Sequence, residues 1–163
     1  MSPIAARTRP FRRSRNLVSV ARVVLDTNAF LDCWVFDDPS ARGLRAALES
    51  GRIGVVRSAA TDAELADVLA RPRFGLDATT SRALIERWQQ LAKWIDVDLI
   101  APIRCADPAD QAFLDLALAA QAQALITKDK ALLATATHAR LHGLSVVTPR
   151  AAASVLLFED RMA

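Results

Sequence analysis

Four acidic residues lie where this chain could assemble a site for chemistry. Asp26 and Asp129 each follow a run of apolar residues, and Glu64 and Asp110 lie near the starts of two predicted helices. If the apolar runs are parallel strands of one sheet, the four carboxylates meet at its carboxyl-terminal edge, where open α/β sheets bind their ligands. Carboxylates that share a small site repel one another, so they need protons or a divalent cation. The pattern therefore indicates a metal site, and the corresponding chemistry is metal-assisted hydrolysis.

Each acid also has a purely structural explanation. Asp26 or Asp129 could cap the helix that follows its strand, and Asp110 could favour a helix dipole. Glu64 has the spacing of a capping box with Thr61, in which it would bond back to the helix start. Four acids in the same topological position are nevertheless hard to assign to caps alone. Other acids compete for the same roles: Asp62, Asp67, Asp107 and Asp115.

Other motifs in the sequence give little support for a second catalytic or binding site. His138 and His142 have the i, i+4 spacing of a helical metal pair, but no third ligand is evident and Gly143 indicates a helix end. We interpret these histidines as surface or C-cap residues. The chain has no glycine-rich dinucleotide motif, P-loop or nucleophile elbow, so nucleotide binding and serine hydrolysis have no support.

The elements that must position the acids follow from the apolar pattern. Short apolar runs alternate with helical segments, which predicts parallel strands with helices on both faces. We predict an α/β fold, a single three-layer domain whose central, mostly parallel sheet has about four to five strands. The predicted strands are residues 18–25, 53–56, 96–100, 124–127 and 144–147.

Residues 80–95 are the clearest amphipathic helix of the sequence. Apolar residues recur there at helical spacing and include Trp88, with Trp94 beside the stripe. We interpret the stripe as core or subunit interface. Stacking of a nucleic-acid base on either tryptophan is the less favoured alternative.

Composition limits the class of protein. The 163 residues fit one domain, and 52% of them are hydrophobic. No apolar run approaches the roughly 20 residues that cross a membrane, and no apolar signal segment follows the basic N-terminus. We therefore expect a cytoplasmic protein without membrane contact, in which Cys33 and Cys105 are buried free thiols.

The net charge of +3 is unevenly distributed. Residues 1–22 contain six arginines and no acid, so the remainder holds 15 basic and all 18 acidic side chains. We predict a flexible basic arm over residues 1–20, followed by one domain over residues 21–158. Such an arm could bind phosphates. The alternative is a solvated leader with no function of its own.

The segments that carry the four acids resemble the PIN-domain ribonucleases, especially the branch described as toxins of toxin–antitoxin pairs. The likeness spans about residues 22–157. It rests on Val-Leu-Asp-Thr-Asn at 24–28, the Glu64 helix, Cys-Ala-Asp-Pro-Ala-Asp at 105–110, and Ala-Leu-Ile-Thr-Lys-Asp-Lys-Ala-Leu-Leu at 124–133. The resemblance implies a PIN-like nuclease domain in which an acidic quartet holds Mg²⁺ or Mn²⁺. By this likeness the quartet is Asp26, Glu64, Asp110 and Asp129, with Asn28 and Thr127 as supporting residues.

The resemblance also implies partners and has departures. It implies an RNA substrate, an antitoxin protein and a homodimer, with the Trp88 stripe as a contact surface. The family commonly has a further acid where Ala131 stands, and often a glycine where Lys128 stands. An acid is also common at or near Ala109 or Gln111. The quartet itself is complete.

Three functions compete at this point. The first is a Mg²⁺- or Mn²⁺-dependent endoribonuclease that hydrolyses phosphodiester bonds of single-stranded RNA. Basic residues that could hold the RNA backbone are Lys128, Lys130, Arg71 and Arg73. The second is a non-catalytic PIN-like module that binds RNA or protein. The third is phosphoryl transfer on an acidic α/β edge, as in haloacid-dehalogenase-type phosphatases or receiver domains. Asn28 stands where such phosphatases need a second Asp.

Overall fold

The computed structural model describes residues 20–162, with side chains described for residues 20–156. The predicted basic arm lies almost wholly outside the described residues. Within them, five strands form one sheet: β1 Ala21–Leu25, β2 Ile53–Arg57, β3 Ala92–Trp94, β4 Ala124–Ile126 and β5 Ser145–Val147.

The sheet is parallel throughout, in the order β3-β2-β1-β4-β5. The first strand lies at the centre, where Val23 pairs with both Val55 of β2 and Ala124 of β4. Strands buried on both faces need nearly continuous apolar sequence, which explains why Val23, Val24 and Leu25 are all buried. The predicted fold, a three-layer α/β domain with a parallel sheet, is confirmed.

Helices connect the strands. The α-helices of the described region are α1 Thr27–Trp34, α2 Arg42–Glu49, α3 Ala59–Leu69, α4 Ala78–Leu91, α5 Gln111–Ala119, α6 Lys130–Leu133, α7 Ala136–Arg140 and α8 Pro149–Met162. Short 3₁₀ helices occur at Pro39–Ala41, Pro72–Phe74 and Pro108–Asp110.

Two apolar cores lie on the two faces of the sheet. Val23 and Leu25 point into one core with α1, α2, α3, α4 and part of α8. Val24 points into the other, which contains α5, α6 and α7. The alternation follows from the two-residue period of a strand, and it holds the ends of β1 and β4 firmly between two packed layers.

The segment after α4 differs from the prediction. The helix ends at Leu91 rather than near residue 95, because residues 92–94 pair with β2 as strand β3. Residues 96–100 are not a strand. Trp88 is only 4% exposed and packs edge-on against Phe30 with ring centroids 5.4 Å apart. Trp88 itself therefore belongs to the core of this chain and offers little contact surface.

The remaining structural expectations concern the thiols and the membrane. Cys33 and Cys105 are buried and free, as predicted. Burial, with the charge of Asp32 adding to it, raises the pKa of Cys33 to about 12, so the thiol stays protonated and unreactive. Among residues 20–162, no helix is both long and apolar enough to cross a membrane.

Candidate active site

The carboxyl-terminal edge of the sheet brings the ends of β1 and β4 side by side. Leu25 pairs with Ile126, so Asp26 and Thr127 follow on neighbouring strands. Asp26 is the N-cap of α1, and Asp129 is the N-cap of α6. Both acids therefore cap helices, and both also lie at the edge where a site was predicted.

Asp26 is the most buried of the four acids, with 4% of its surface exposed. Its Oδ1 accepts a hydrogen bond from the Ala29 N–H at 2.7 Å, and its Oδ2 accepts one from the Thr127 hydroxyl at 2.5 Å. Burial raises the pKa of Asp26 from 3.8 to about 6 although these two bonds oppose the rise. The charges of Asp110 and Asp129 add to it.

Thr127 ties Asp26 to Asp129. Its buried hydroxyl donates to Asp26 and accepts a hydrogen bond from the Asp129 N–H at 2.9 Å. Asp129 in turn uses Oδ1 to accept from the N–H groups of Ala131 and Leu132. The contacts of Thr127 agree with the supporting role expected of it.

Asp110 faces Asp129 from the other side of the edge. Asp107 caps the 3₁₀ helix by accepting from the Ala109 N–H at 3.0 Å, which leaves the Asp110 side chain without a capping bond. Burial raises the pKa of Asp110 to about 6, and the neighbouring charge of Asp129 is the next cause. The two carboxyl groups are close enough to share a hydrogen bond when one holds a proton.

Glu64 does not take part in the capping box expected of it. The box is formed one turn earlier by Ser58 and Thr61, whose side chains bond to each other's backbone N–H groups. Glu64 therefore lies in the second turn of α3 with its carboxylate unused by the cap. Burial, followed by the charges of Asp110 and Asp26, raises its pKa, while the Thr27 hydroxyl beside it opposes the rise.

The four acids thus share one electrostatic environment. Each of the three raised pKa values has at least one other member of the quartet among its causes. Four segments that are distant in the sequence therefore place negative charge in one region. Such a region gains free energy by binding protons or cations.

The competing acids have structural partners instead. Asp62 forms an ion pair with Arg57 at 2.5 Å and accepts a hydrogen bond from the Trp88 indole at 2.9 Å. Asp115 accepts from the Ala101 N–H at 2.8 Å and holds a segment of loop. Asp67 is exposed and forms an i, i+4 ion pair with Arg71 at 3.1 Å. These contacts leave the four predicted acids as the candidate set.

Two contacts at the site were missed by reasoning from the sequence. Thr27 is buried beside Glu64. Asp32 is 5% exposed and pairs with Lys128, whose Nζ lies 2.7 Å from Asp32 Oδ2 and 3.4 Å from Asp38 Oδ2. The charge of Lys128 is thus balanced by two carboxylates, so it is a poor ligand for an RNA phosphate. The ion pair instead ties the Asp129 turn to α1.

Asn28 shows no such contacts. Its side chain is exposed, and it makes no hydrogen bond to the side chains and backbone described here. Its supporting role therefore stays a prediction.

The donor set suits a hard divalent cation. Its ligands would be carboxylate oxygens, which Mg²⁺ and Mn²⁺ prefer, and burial together with neighbouring negative charge raises the pKa of Asp26 and of Asp110 to about 6. Within residues 20–156, however, no three His, Cys, Asp or Glu side chains lie close enough together to hold one ion. Mg²⁺ commonly takes one or two carboxylates and keeps several waters, a mode that the Asp110–Asp129 pair could supply.

Comparison with known families places this geometry in context. Residues 22–131, more than half of the chain, match the PIN domain family. The chain therefore belongs to the PIN domain family, whose members are generally nucleases that use divalent metal ions. No curated protein shows significant similarity to the chain.

Proposed function

We propose that this PIN domain is a Mg²⁺- or Mn²⁺-dependent endoribonuclease that hydrolyses phosphodiester bonds of single-stranded RNA. The observation that carries the proposal is the placement of Asp26, Glu64, Asp110 and Asp129 around the carboxyl-terminal edge of the sheet, where the raised pKa values of Asp26, Glu64 and Asp110 each have another of the four acids among their causes. In this account Asp26, Glu64, Asp110 and Asp129 are both the catalytic residues and the metal ligands: because no three of the described donors lie together, Asp110 and Asp129 would bind the cation directly, and Asp26 and Glu64 would hold it through its water ligands.

The contacts and burial of each acid indicate which role it has in this mechanism. When bound, the cation supplies positive charge that polarises the phosphodiester and activates a water. Asp26 is held rigidly by Thr127 and the α1 N-terminus, which suits a ligand whose position must not change. Asp110 is partly exposed, makes no capping bond and has a raised pKa, which suits a group that accepts the proton of the attacking water.

Cleavage of a fluorescent single-stranded RNA tests the proposal. Wild-type protein should cleave with Mn²⁺ and not with EDTA, and the variants Asp26→Asn and Asp110→Asn should lose cleavage while keeping the fold. Glu86→Gln is the matched control, because Glu86 is an exposed acid on α4 whose charge is not among those that shift the pKa values of the quartet. Undiminished cleavage by Asp26→Asn would exclude this mechanism.

A biological role as the toxin of a toxin–antitoxin pair extends the proposal. A toxin that cleaves cellular RNA acts in the cytoplasm, is inhibited by an antitoxin protein, and in this proposal works as a homodimer. Expression of wild type and Asp129→Ala in cells tests it: growth arrest by wild type alone, with new RNA ends on sequencing, is the expected result. Normal growth with active wild-type enzyme would argue against a toxin.

The alternative is a non-catalytic PIN-like module that binds RNA or protein. One observation favours it, namely that no three candidate ligands among residues 20–156 are close enough to hold one ion. Such a module would show no Mn²⁺ binding that depends on Asp26 and Asp129, whereas a nuclease would.

A further inference from the structure

A surface beside the acidic edge combines aromatic rings with arginines. Phe36 follows α1 and is 54% exposed, and its ring centroid lies 6.0 Å from that of Phe74. The guanidinium of Arg73 lies over the Phe74 ring at 4.8 Å, and Arg71 begins the same turn. We call these four residues, Phe36, Arg71, Arg73 and Phe74, the aromatic–arginine surface.

Both ends of this surface reach the candidate active site. At one end, Phe36 is two residues from Asp38, which contacts Lys128 next to Asp129. At the other end, Arg71 is close enough to Glu64 for its positive charge to oppose, in small part, the rise of the Glu64 pKa. A strand that lies on the surface would therefore continue into the acidic edge.

The arginines of the surface are available to a ligand. Arg73 has no acidic partner among the described side chains of residues 20–156. Arg71 pairs only with Asp67, across an i, i+4 contact of 3.1 Å whose members are 46% and 73% exposed. Exposed pairs of this kind are weak, so a phosphate can replace Asp67.

On the opposite flank of the site, the exposed aromatic residue is surrounded by acids and not by free arginines. There Trp94 borders a cavity of about 360 Å³ whose lining includes Asp96, Asp98 and Asp115. The Trp94 indole donates to Asp96, and one face of its ring is covered by Arg57, which is already paired with Asp62. Three carboxylates around an aromatic ring disfavour a phosphate backbone.

We propose that the aromatic–arginine surface binds the single-stranded RNA that enters the active site, with a base stacked on Phe36 and phosphates held by Arg71 and Arg73. Proteins that bind single strands without sequence preference combine these two elements, aromatic stacking and backbone charge. The inference rests on the proposed function. It adds which side of the edge the substrate strand occupies and that its bases are unpaired there.

Binding of a fluorescein-labelled oligouridine by the full chain in EDTA tests this inference without cleavage. Phe36→Ala should weaken binding roughly tenfold, since stacking on one ring is lost. Phe36→Trp should retain it, because the π-face is kept. Arg73→Gln should weaken binding and reduce the slope of its salt dependence by about 1.

The controls are matched on the opposite flank and on α4. Trp94→Ala removes an aromatic side chain that is 44% exposed, and Arg82→Gln removes an exposed arginine; both should bind RNA as wild type does. Binding of an RNA duplex of the same length should be equal for wild type and Phe36→Ala, because the bases of a duplex are already stacked on one another. Unchanged oligouridine binding by Phe36→Ala and Arg73→Gln would overturn the inference, as would equal losses for the duplex.

The outcome separates this inference from the proposed function. If Phe36→Ala binds oligouridine normally while Asp26→Asn abolishes cleavage, the nuclease stands and the aromatic–arginine surface does not bind its substrate. If Phe36→Ala loses binding but no Mn²⁺-dependent cleavage exists, the surface stands and the enzyme does not.

Discussion

Replacing Asp26 by asparagine should stabilise the metal-free protein while it removes activity. The variant keeps the acceptor for the Ala29 N–H but no longer carries a buried negative charge. Most substitutions of buried polar residues destabilise, so the expected sign is unusual. A site that keeps buried acids for a cation lowers the stability of the metal-free fold, so removing one of these acids can raise that stability.

The magnitude follows from the pKa of Asp26. Its rise from 3.8 to about 6 corresponds to roughly 3 kcal/mol at about 1.36 kcal/mol per pKa unit. Asparagine cannot accept the Thr127 hydrogen bond in the same way, which costs about 1 kcal/mol. The net expected gain is about 2 kcal/mol, or a melting temperature about 4–8 °C higher for a domain of this size.

The pH dependence has a definite sign. Because the folded-state pKa of Asp26 is the higher one, the folded protein binds this proton more tightly than the unfolded chain does. The cost of ionising Asp26 therefore develops as pH rises from about 4 to about 6 and is complete above that range. The stability advantage of Asp26→Asn should be largest at pH 8 and should shrink towards pH 4.

Urea unfolding in EDTA at the two pH values measures this difference. Saturating Mn²⁺ at pH 8 should stabilise wild type and leave Asp26→Asn unchanged, since the metal binds only the folded wild-type site. If Asp26→Asn is less stable than wild type in EDTA at pH 8, the electrostatic reasoning about this residue is wrong.

Three further predictions concern neighbouring groups. Asp62→Ala should destabilise the fold by about 2–4 kcal/mol in urea unfolding, because it leaves a part-buried arginine and an indole N–H without their partner; an unchanged midpoint would refute this structural role. Lys128→Met should lower kcat without raising KM, because it releases the turn that carries a catalytic acid, whereas Lys93→Met, at an exposed lysine on β3, should match wild type; a rise in KM alone would mean that Lys128 binds substrate. At low Mn²⁺ concentration the cleavage rate should fall as pH drops through about 6, where Asp26 and Asp110 take up protons. A higher Mn²⁺ concentration should shift this fall in rate to lower pH, because metal and protons compete for the same carboxylates. A fall in rate at the same pH for all Mn²⁺ concentrations would contradict this competition.

The sequence predicted those parts of the structure that depend on local pattern. Continuous apolar runs identified strands β1, β2, β4 and β5, and acids at their ends indicated the edge that collects Asp26 and Asp129. The order of strands and helices was enough to predict the parallel sheet, because parallel strands need crossover helices.

Two of the errors arose where distant contacts decide the structure, and one arose where a local motif fits two registers. Residues 92–94 continue a helical pattern, but pairing with β2 makes them a strand. Thr61 fits a capping box in two registers, and the choice of Ser58 as its partner frees Glu64 for the site. The pairing of Asp32 with Lys128 joins residues that no local pattern connects. Such contacts become visible only once the chain is folded.

Calorimetric titration with Mn²⁺ addresses whether the four acids form a metal centre. Wild type should bind Mn²⁺, Asp129→Asn should lose that binding, and Asp115→Asn should retain it because Asp115 only holds a loop. Equal binding by all three proteins, or no binding by wild type, would contradict a metal-dependent nuclease.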